Sequence, residues 1–510
     1  MDIKALFRNA GIVTLGVMLS RILGFGREVI MASRFGTSAS KDAFDIGSYL
    51  PITFSSLLVA GVFSAVFIPL FTRYICNREH DQLQEIISVL INQFTLLMVG
   101  VLLFFYIFAP LLIRIQAPFF DPLRFDTAVM IFRASLPSIF FLGLAAIVTG
   151  ILNSMKMFGV PTLGGILFNA LTMGFIILFA PRMGIKSAAW ALVLGSIGQL
   201  MIQYIWIVRH RLSYRWTPRI FHPAISEVYV LILPVVLGSG INYLAPFIER
   251  FFGSSLPEGM ISALGYSFKV SQFPIGIFAL AVSSVIFPCL SENVICKDRA
   301  ALSKNLKWAL QFVLFIIMPA TFGLLACSLP ITRLLFEHGE FTPLSTILTS
   351  RALTIYSLAL VPWSITAVLV KIFYSNKDTK TPVYVALITI AVLFTVDIFL
   401  VRVFQYQGLA MGSTIAAYVN VIILWMIMRK KFQCLGFMAL FKTLKSTLIA
   451  SVSMFGVLYV SCDYLEKTLN LTLRRNQILE VGILVLLGMA IYALLIWLLD
   501  RKELKEVMGR

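Results

Sequence analysis

The chain has 510 residues, of which 59% are hydrophobic and only 13% are charged. Surface-to-volume scaling would leave much of this apolar surface exposed in water, so the composition excludes an ordinary soluble protein and predicts one that lies in a lipid bilayer. The formal net charge of +18 does not indicate a nucleic-acid partner, because the basic residues are scattered through short connections rather than gathered on one polar domain.

Apolar segments separated by polar or Pro/Gly-containing connections occur along the whole chain. About fourteen of them reach roughly 20 residues, the length that crosses about 30 Å of hydrocarbon as a helix. We therefore predict an all-α integral membrane protein with about 14 transmembrane helices. Arg21 and Arg27 interrupt the first segment, unlike the h-region of a cleavable signal, so we expect it to remain as a span. The predicted spans are residues 11–34, 43–72, 86–110, 127–152, 160–180, 187–208, 227–251, 261–290, 306–330, 347–374, 382–402, 408–428, 441–462 and 477–499.

Lysine and arginine are more frequent in every second connection than in the others. Any one cluster could be the solvated end of a helix, but the alternation along the whole chain follows the positive-inside rule. It predicts a multi-pass membrane protein with both termini in the cytoplasm. The densest predicted cytoplasmic clusters are Arg209/Arg211/Arg215/Arg219, Lys297/Arg299/Lys304/Lys307 and Arg429/Lys430/Lys431/Lys442/Lys445.

An internal repeat divides the chain. The offset between its copies spans six predicted helices, so the halves have the same orientation and are predicted to be six-helix lobes related by a pseudo-twofold axis along the membrane normal. Such halves are typical of transporters that rock about a central cavity. The predicted limits are 1–218 for the first lobe, 219–432 for the second, and 433–510 for two extra helices and a cytoplasmic tail. The repeated motifs are SAVFIP (64–69) with SSVIFP (283–288), and Ser154, Lys156 and Pro161 with Ser375, Lys377 and Pro382.

Ionisable side chains inside the predicted spans are the candidate functional residues, since each costs at least about 2.5 kcal/mol at membrane depth. Arg21, Arg27 and Lys269 have too few acidic partners if they face one cavity. An anionic ligand would supply the missing charge, and the arginine fork suits pyrophosphate. An antiporter for cationic drugs would instead need carboxylates. Further candidate cavity residues are Ser20, Glu28, Glu249, Gln272 and Lys371.

Several of these residues have a structural alternative. Arg27 could pair with Glu28 or extend to the interface, and Asp42 could be a charge favoured by the N-terminus of its helix. Glu249 and Lys371 are as easily interfacial as functional. Asp397 is a weak candidate for a cation site because it lacks evident companion ligands. We expect no other metal site and no cofactor.

The cysteines and histidines indicate no catalytic chemistry. The cysteines lack CxxC or paired spacing, so we expect packing residues without metal or disulfide. The histidines all lie in polar connections, which leaves no material for a Ser/His/Asp triad or a buried metal cluster. We therefore expect a transporter rather than an enzyme. The residues are Cys76, Cys289, Cys296, Cys327, Cys434 and Cys462, with His80, His210, His222 and His338.

Several motifs together resemble one known family. The chain is similar, from the first through the twelfth span and in its extra pair, to the MurJ (MviN) lipid II flippases of the multidrug/oligosaccharidyl-lipid/polysaccharide exporter superfamily. The motifs are SRILGFGREVIMASRFG (20–36), KDAF (41–44), VFSAVFIP (62–69), ILNS (151–154) with Pro161, FPIGIFALAVSSVIFPCLS (273–291) and FYSNKDTKTPV (373–383).

The resemblance implies fourteen helices, a two-lobed cavity and alternating access that carries undecaprenyl-pyrophosphate-linked disaccharide-pentapeptide outward for peptidoglycan synthesis. It also implies head-group contacts at Arg21, Arg27 and Asp42. Where the family has an arginine in the eighth span, this chain has Lys269, and Gln272 replaces a common glutamate. Ser55 and Ser56 stand where many members have paired arginines in the second span.

Lipid II is therefore the expected substrate, and membrane lipids and cell-wall synthesis proteins are candidate partners. The membrane potential, H⁺ or Na⁺ are candidates for driving transport. The alternatives are a flippase for another polyprenyl-linked glycan, such as O-antigen, and, further off, a multidrug antiporter. A membrane enzyme acting on polyprenyl phosphates would need clustered carboxylates at one interface. The outer connections carry only scattered Asp121, Asp126, Glu337 and Glu340.

Overall fold

The computed structural model describes residues 3–58, 67–77, 80–210, 212, 214–219, 240–432 and 438–501. All regular secondary structure within these ranges is helical, which confirms the all-α prediction. Part of the predicted second span and most of the predicted seventh span lie outside the described residues. The chain divides into two compact units, residues 1–259 and 260–510.

The first unit begins with a long helix that packs along α8. Two short helices, α2 and α3, and the adjacent α4 pack against α7. Its helices are α1 (Ile3–Phe35), α2 (Ala39–Gly47), α3 (Tyr49–Leu57), α4 (Ile68–Cys76), α5 (His80–Ile107), α6 (Ala109–Gln116), α7 (Pro122–Ser154), α8 (Gly159–Met183), α9 (Lys186–Arg209) and α10 (Leu244–Gly253), the last preceded by a 3₁₀ turn at Ile241–Tyr243.

The second unit contains the longest described helix, α13, against which both C-terminal helices pack. Gln311 on α13 donates to Thr443 Oγ1 at 2.8 Å, and Tyr492 donates to the Phe315 carbonyl at 2.9 Å. Its helices are α11 (Met260–Pro274), a π-helical turn at Ile275–Ala279, α12 (Leu280–Ile295), α13 (Arg299–Phe336), α14 (Pro343–Ser357), α15 (Leu360–Ser375), α16 (Lys380–Phe404), α17 (Tyr406–Phe432), α18 (Met438–Thr468) and α19 (Arg474–Leu499).

Ten of the described helical segments are long and apolar enough to cross a membrane. They coincide with the predicted third to sixth, eighth, ninth and eleventh to fourteenth spans. The pair α14 and α15, bent by 45°, makes an eleventh at the predicted tenth span. The chain is thus a multi-pass membrane protein. The count of fourteen stays a prediction, because α1 is not among these segments and the second and seventh spans are only partly described.

Proline breaks the helix in two predicted spans. The predicted second span, 43–72, is not one continuous helix, since α2 and α3 are separated at Ser48. Pro51 has no N–H with which to bond the Gly47 carbonyl, so one helical hydrogen bond is missing next to this break. In the tenth span, Pro362 likewise follows the break between α14 and α15.

The sequence repeat has a counterpart in the backbone. Helices α8 and α16 begin and end 221 residues apart, and α7 and α15 both end at the repeated serine, Ser154 or Ser375. The lysine that follows has a positive φ in each copy, 62° at Lys156 and 56° at Lys377. The two copies of the motif therefore form the same helix-turn-helix.

An ion pair at the protein surface holds the second of these turns. Asp378 accepts hydrogen bonds at 2.6 Å from Lys431 Nζ, on α17, and from Thr381 Oγ1. Burial raises the pKa of Asp378, but the bonds from Lys431 and Thr381 outweigh it and lower the pKa to about 2. The carboxylate is therefore ionised at neutral pH and links the turn to the end of α17.

Candidate functional site

Small residues bring α1 close to α8. A Cβ at Gly16 would lie 2.6 Å from Thr162 Cγ2, and one at Gly165 would lie 3.1 Å from Ser20 Oγ. Asn169, buried in the middle of α8, donates to the Ser20 carbonyl at 3.3 Å and to the Gly165 carbonyl at 3.0 Å. This polar contact positions the α1 backbone directly before Arg21. The prediction did not include Asn169, although an asparagine inside an apolar span is itself a signal.

Arg21 and Arg27 both lie on α1, six residues or about 9 Å apart along the helix axis. Arg21 is exposed. Arg27 Nη2 donates to Glu28 Oε1 at 3.1 Å, and its guanidinium lies 5.9 Å from the Phe168 ring centroid. The structural alternative considered for Arg27, an ion pair with its neighbour, is therefore present.

This ion pair changes the charge balance of the predicted site. Glu28 is almost buried and offsets the charge of Arg27, so Arg21 and Arg27 together carry less uncompensated positive charge than the prediction assumed. The Arg27 side chain nevertheless remains 26% exposed. Within the described part of the chain its other guanidinium donors make no hydrogen bond, so they can still bind an anion.

Asp42 lies in the first turn of α2 and is completely buried. Its Oδ2 accepts a hydrogen bond from the backbone N–H of Gly259 at 2.6 Å. Gly259 has a φ of +83°, and a Cβ there would lie 2.7 Å from the Thr37 carbonyl oxygen, so only glycine fits. The carboxylate therefore has a structural task in positioning residue 259, and its contact with substrate stays a prediction.

A second set of polar contacts lies around α2. The Lys41 ammonium, nearly inaccessible, lies 2.6 Å from both carboxylate oxygens of Asp45. Arg250 on α10 donates to the Asp45 carbonyl at 3.2 Å and stacks 4.1 Å from the Tyr49 ring centroid. Glu249, next to it, is partly buried. The i, i+4 spacing of Lys41 and Asp45 signals this pair in the sequence.

The candidates of the second unit lie on three helices. Lys269 and Gln272, three residues apart on α11, are both partly buried. The Lys371 ammonium on α15 lies 5.4 Å from the Phe287 ring centroid. Asp397 on α16 is fully buried, and a Cβ at Gly412 would collide with its carboxylate. Among the described residues no three His, Cys, Asp or Glu side chains form a metal-binding group, so the cation site at Asp397 stays a prediction.

The family model for the lipid II flippase MurJ matches residues 31–472, which include most of both units. The chain belongs to the MurJ family. Because the match begins at residue 31, Arg21 and Arg27 precede it, and their assignment depends on their own motif and geometry.

Curated MurJ relatives match over nearly their full length. A probable lipid II flippase MurJ of Rickettsia prowazekii (strain Madrid E) is 28% identical over 505 residues, 96% of each chain. A second, from Rhizobium meliloti (strain 1021), is 29% identical over 482 residues, 91% of this chain and 88% of the relative. The likeness therefore extends beyond one lobe.

Solved structures of the superfamily share the fold. A lipid II flippase MurJ in an inward closed conformation matches with a TM-score of 0.81 and 24% identity, covering 96% of this chain and 99% of that one. An inward-facing multidrug resistance MATE family transporter matches with a TM-score of 0.69 and 16% identity, covering 83% and 98%. The MurJ fold and family thus make this chain a transporter rather than an enzyme.

Proposed function

We propose that this protein flips lipid II, the undecaprenyl-pyrophosphate-linked peptidoglycan precursor, from the inner to the outer leaflet of the bacterial cytoplasmic membrane. The observation that carries the proposal is the match to the MurJ family across both units. The MATE likeness supports the fold alone. No covalent step is needed, since the substrate crosses the membrane unchanged.

In this proposal Arg21, Arg27 and Lys269 bind the pyrophosphate. A guanidinium can donate two parallel hydrogen bonds to phosphate oxygens, whereas the lysine acts as a point charge. Glu28 holds the Arg27 side chain in place through the 3.1 Å ion pair while other donors face the ligand. Closing the cytoplasmic side and opening the outer side then moves the head group.

The membrane potential is one proposed source of energy. Each elementary charge that moves through 100 mV gains or loses about 2.3 kcal/mol, which is enough to bias a transport step. H⁺ or Na⁺ coupling is the competing possibility. Transport into vesicles with an imposed potential, in buffers with and without Na⁺ and with matched pH on both sides, separates the three.

The test of the site is a flipping assay with purified protein in vesicles that contain labelled lipid II. We expect Arg21→Ala combined with Arg27→Ala to lower the rate at least about tenfold, because losing even one charged hydrogen bond of about 1.5–3 kcal/mol is sufficient for that. Lys269→Ala should lower it too, while Lys269→Arg keeps the charge and should retain transport.

Arg182→Ala is the matched control, since Arg182 is an exposed arginine in the last turn of α8 in the same unit. It should leave transport unchanged. Full activity of the double alanine variant would overturn the pyrophosphate site. Transport of an O-antigen-type polyprenyl glycan in preference to lipid II would overturn the substrate.

A further inference from the structure

Two cysteines that are far apart in the sequence lie side by side in the second unit. Cys327 on α13 and Cys462 on α18 have their sulfur atoms 3.9 Å apart. Both belong to an apolar cluster formed by α13, α18 and α19, which includes Met454, Leu458 and Leu484. The thiols are therefore held together by helix packing.

A proline explains why Cys462 points at α13. The Ala326 carbonyl would normally accept from the N–H of residue 330, but Pro330 has none. The thiol of Cys462 lies 3.7 Å from this carbonyl oxygen and donates to it. The backbone at Cys327 also leaves helical geometry, with φ −104° and ψ 17°. The bend in α13 thus positions both sulfur atoms.

The two helices are fixed on both sides of the pair. Toward one end, Gln311 on α13 bonds Thr443 on α18 at 2.8 Å. Toward the other, Arg333 Nη2 on α13 lies 2.8 Å from Glu466 Oε1 on α18. A disulfide has an S–S length of about 2.05 Å, so the sulfurs must approach by about 1.9 Å. Rotation about the two Cα–Cβ bonds is the motion that can bring them together.

The pair lies near the outer ends of its helices. Six residues beyond Cys327, Arg333 forms ion pairs with Glu466 and, at 4.0 Å, with Glu480 of α19, and such charges mark the edge of the apolar layer. The opposite ends of α13 and α18 carry the lysines that the positive-inside rule places in the cytoplasm. The thiols therefore lie in the outer half of the span, about 9 Å along α13 from Arg333, on the side of the membrane whose compartment allows disulfides to persist. These lysines are Lys304, Lys307, Lys442 and Lys445.

We propose that Cys327 and Cys462 form a disulfide that fastens the C-terminal helix pair to α13. The oxidant is the disulfide of a thiol–disulfide oxidoreductase of the outer compartment. The thiolate of Cys462, the more exposed of the two, attacks this disulfide to give a mixed disulfide and one released thiolate. The thiolate of Cys327 then attacks the Cys462 sulfur and releases the second thiolate of the oxidant. The oxidant is thereby reduced to a dithiol, which takes up the two protons lost by the cysteines.

The test is peptide mapping of the full chain. Cells are quenched with acid, free thiols are alkylated under denaturing conditions without reductant, and the digested protein is analysed by mass spectrometry. We expect the peptides of Cys327 and Cys462 to be joined in most molecules and to separate on reduction. Cys462→Ser should leave Cys327 fully alkylated. Cys289→Ser, at an exposed cysteine on α12, is the matched control and should leave the linkage intact.

Full alkylation of both cysteines in protein from cells would overturn the proposal. Treating the purified protein with the oxidant copper–phenanthroline then shows the reason. If the two cysteines become linked, the pair meets no oxidant in the cell. If they stay unlinked, the two thiols cannot reach each other. A second measurement is the melting temperature, which dithiothreitol should lower for the wild type and leave unchanged for Cys462→Ser. Lipid II flipping by Cys462→Ser is measured as well. If this variant flips lipid II, failure of the disulfide proposal leaves the proposed function intact.

Discussion

At Asp42, one residue combines a predicted functional role with an observed structural one. Its buried carboxylate bonds the N–H of Gly259, a residue 217 positions away. An acid at this place accepts a hydrogen bond from a buried backbone donor. Arg27 shows the same combination, since Glu28 both offsets its charge and orients it. The predicted substrate site and the contacts that support it therefore share residues.

Asp42→Ala should destabilise the protein by about 1–3 kcal/mol, because the Gly259 N–H loses its acceptor in a buried place. Asp42→Asn keeps an acceptor oxygen and should lose less than half as much. The measurement is the denaturation midpoint in detergent.

Asp81→Ala is the control, because the Asp81 side chain is 99% exposed and should contribute little. Equal destabilisation by Asp42→Ala and Asp81→Ala would contradict the structural role of Asp42.

Among the helices, the contact between α1 and α8 determines where the two arginines lie. Glycines at positions 16 and 165 allow the backbones to approach, as small residues commonly do between membrane helices. Asn169 adds hydrogen bonds to the Ser20 and Gly165 carbonyls. Ser20 immediately precedes Arg21, so any separation of the two helices displaces the site.

Gly165→Leu should therefore lower lipid II flipping and the melting temperature, because its side chain would enter the space of Ser20. Gly174→Leu is the matched control on the same helix, since a Cβ at Gly174 has nothing within 4 Å. Both substitutions replace glycine by leucine and so gain about the same helix propensity, roughly 0.8–1 kcal/mol. A difference in flipping or melting temperature between the two variants therefore reports the packing of α8 against α1. Equal activity of the two variants would show that the close approach is not required.

At the scale of the whole molecule, orientation decides which compartment each connection meets. The sequence predicts the connection after α12 in the cytoplasm, because it carries Lys297 and Arg299. Cys296 is exposed in this connection and can report on its side of the membrane.

A membrane-impermeant maleimide should fail to label Cys296 in intact spheroplasts and should label it after permeabilisation. Glu340→Cys, at an exposed position of the connection between α13 and α14, should react in both conditions. Cys296→Ser shows which signal belongs to Cys296. The reverse pattern would invert the topology, and with it the compartment assigned to the Cys327–Cys462 pair.

The sequence by itself determined the membrane class, ten of the spans, the internal repeat and the resemblance to the MurJ family. These follow from hydropathy, charge and motifs, which are local properties that each segment carries whatever it packs against. The repeated residues form matching turns at Lys156 and Lys377, because the same residues make the same local bonds.

Only the tertiary structure decided which side chains meet. The contacts of Asp42 with Gly259 and of Cys327 with Cys462 join residues 217 and 135 positions apart. Such contacts depend on how each helix is rotated about its axis and how far it is shifted along its neighbour. An apolar span is hydrophobic on nearly every face, so its hydropathy does not specify that rotation, and packing between small residues and polar groups does.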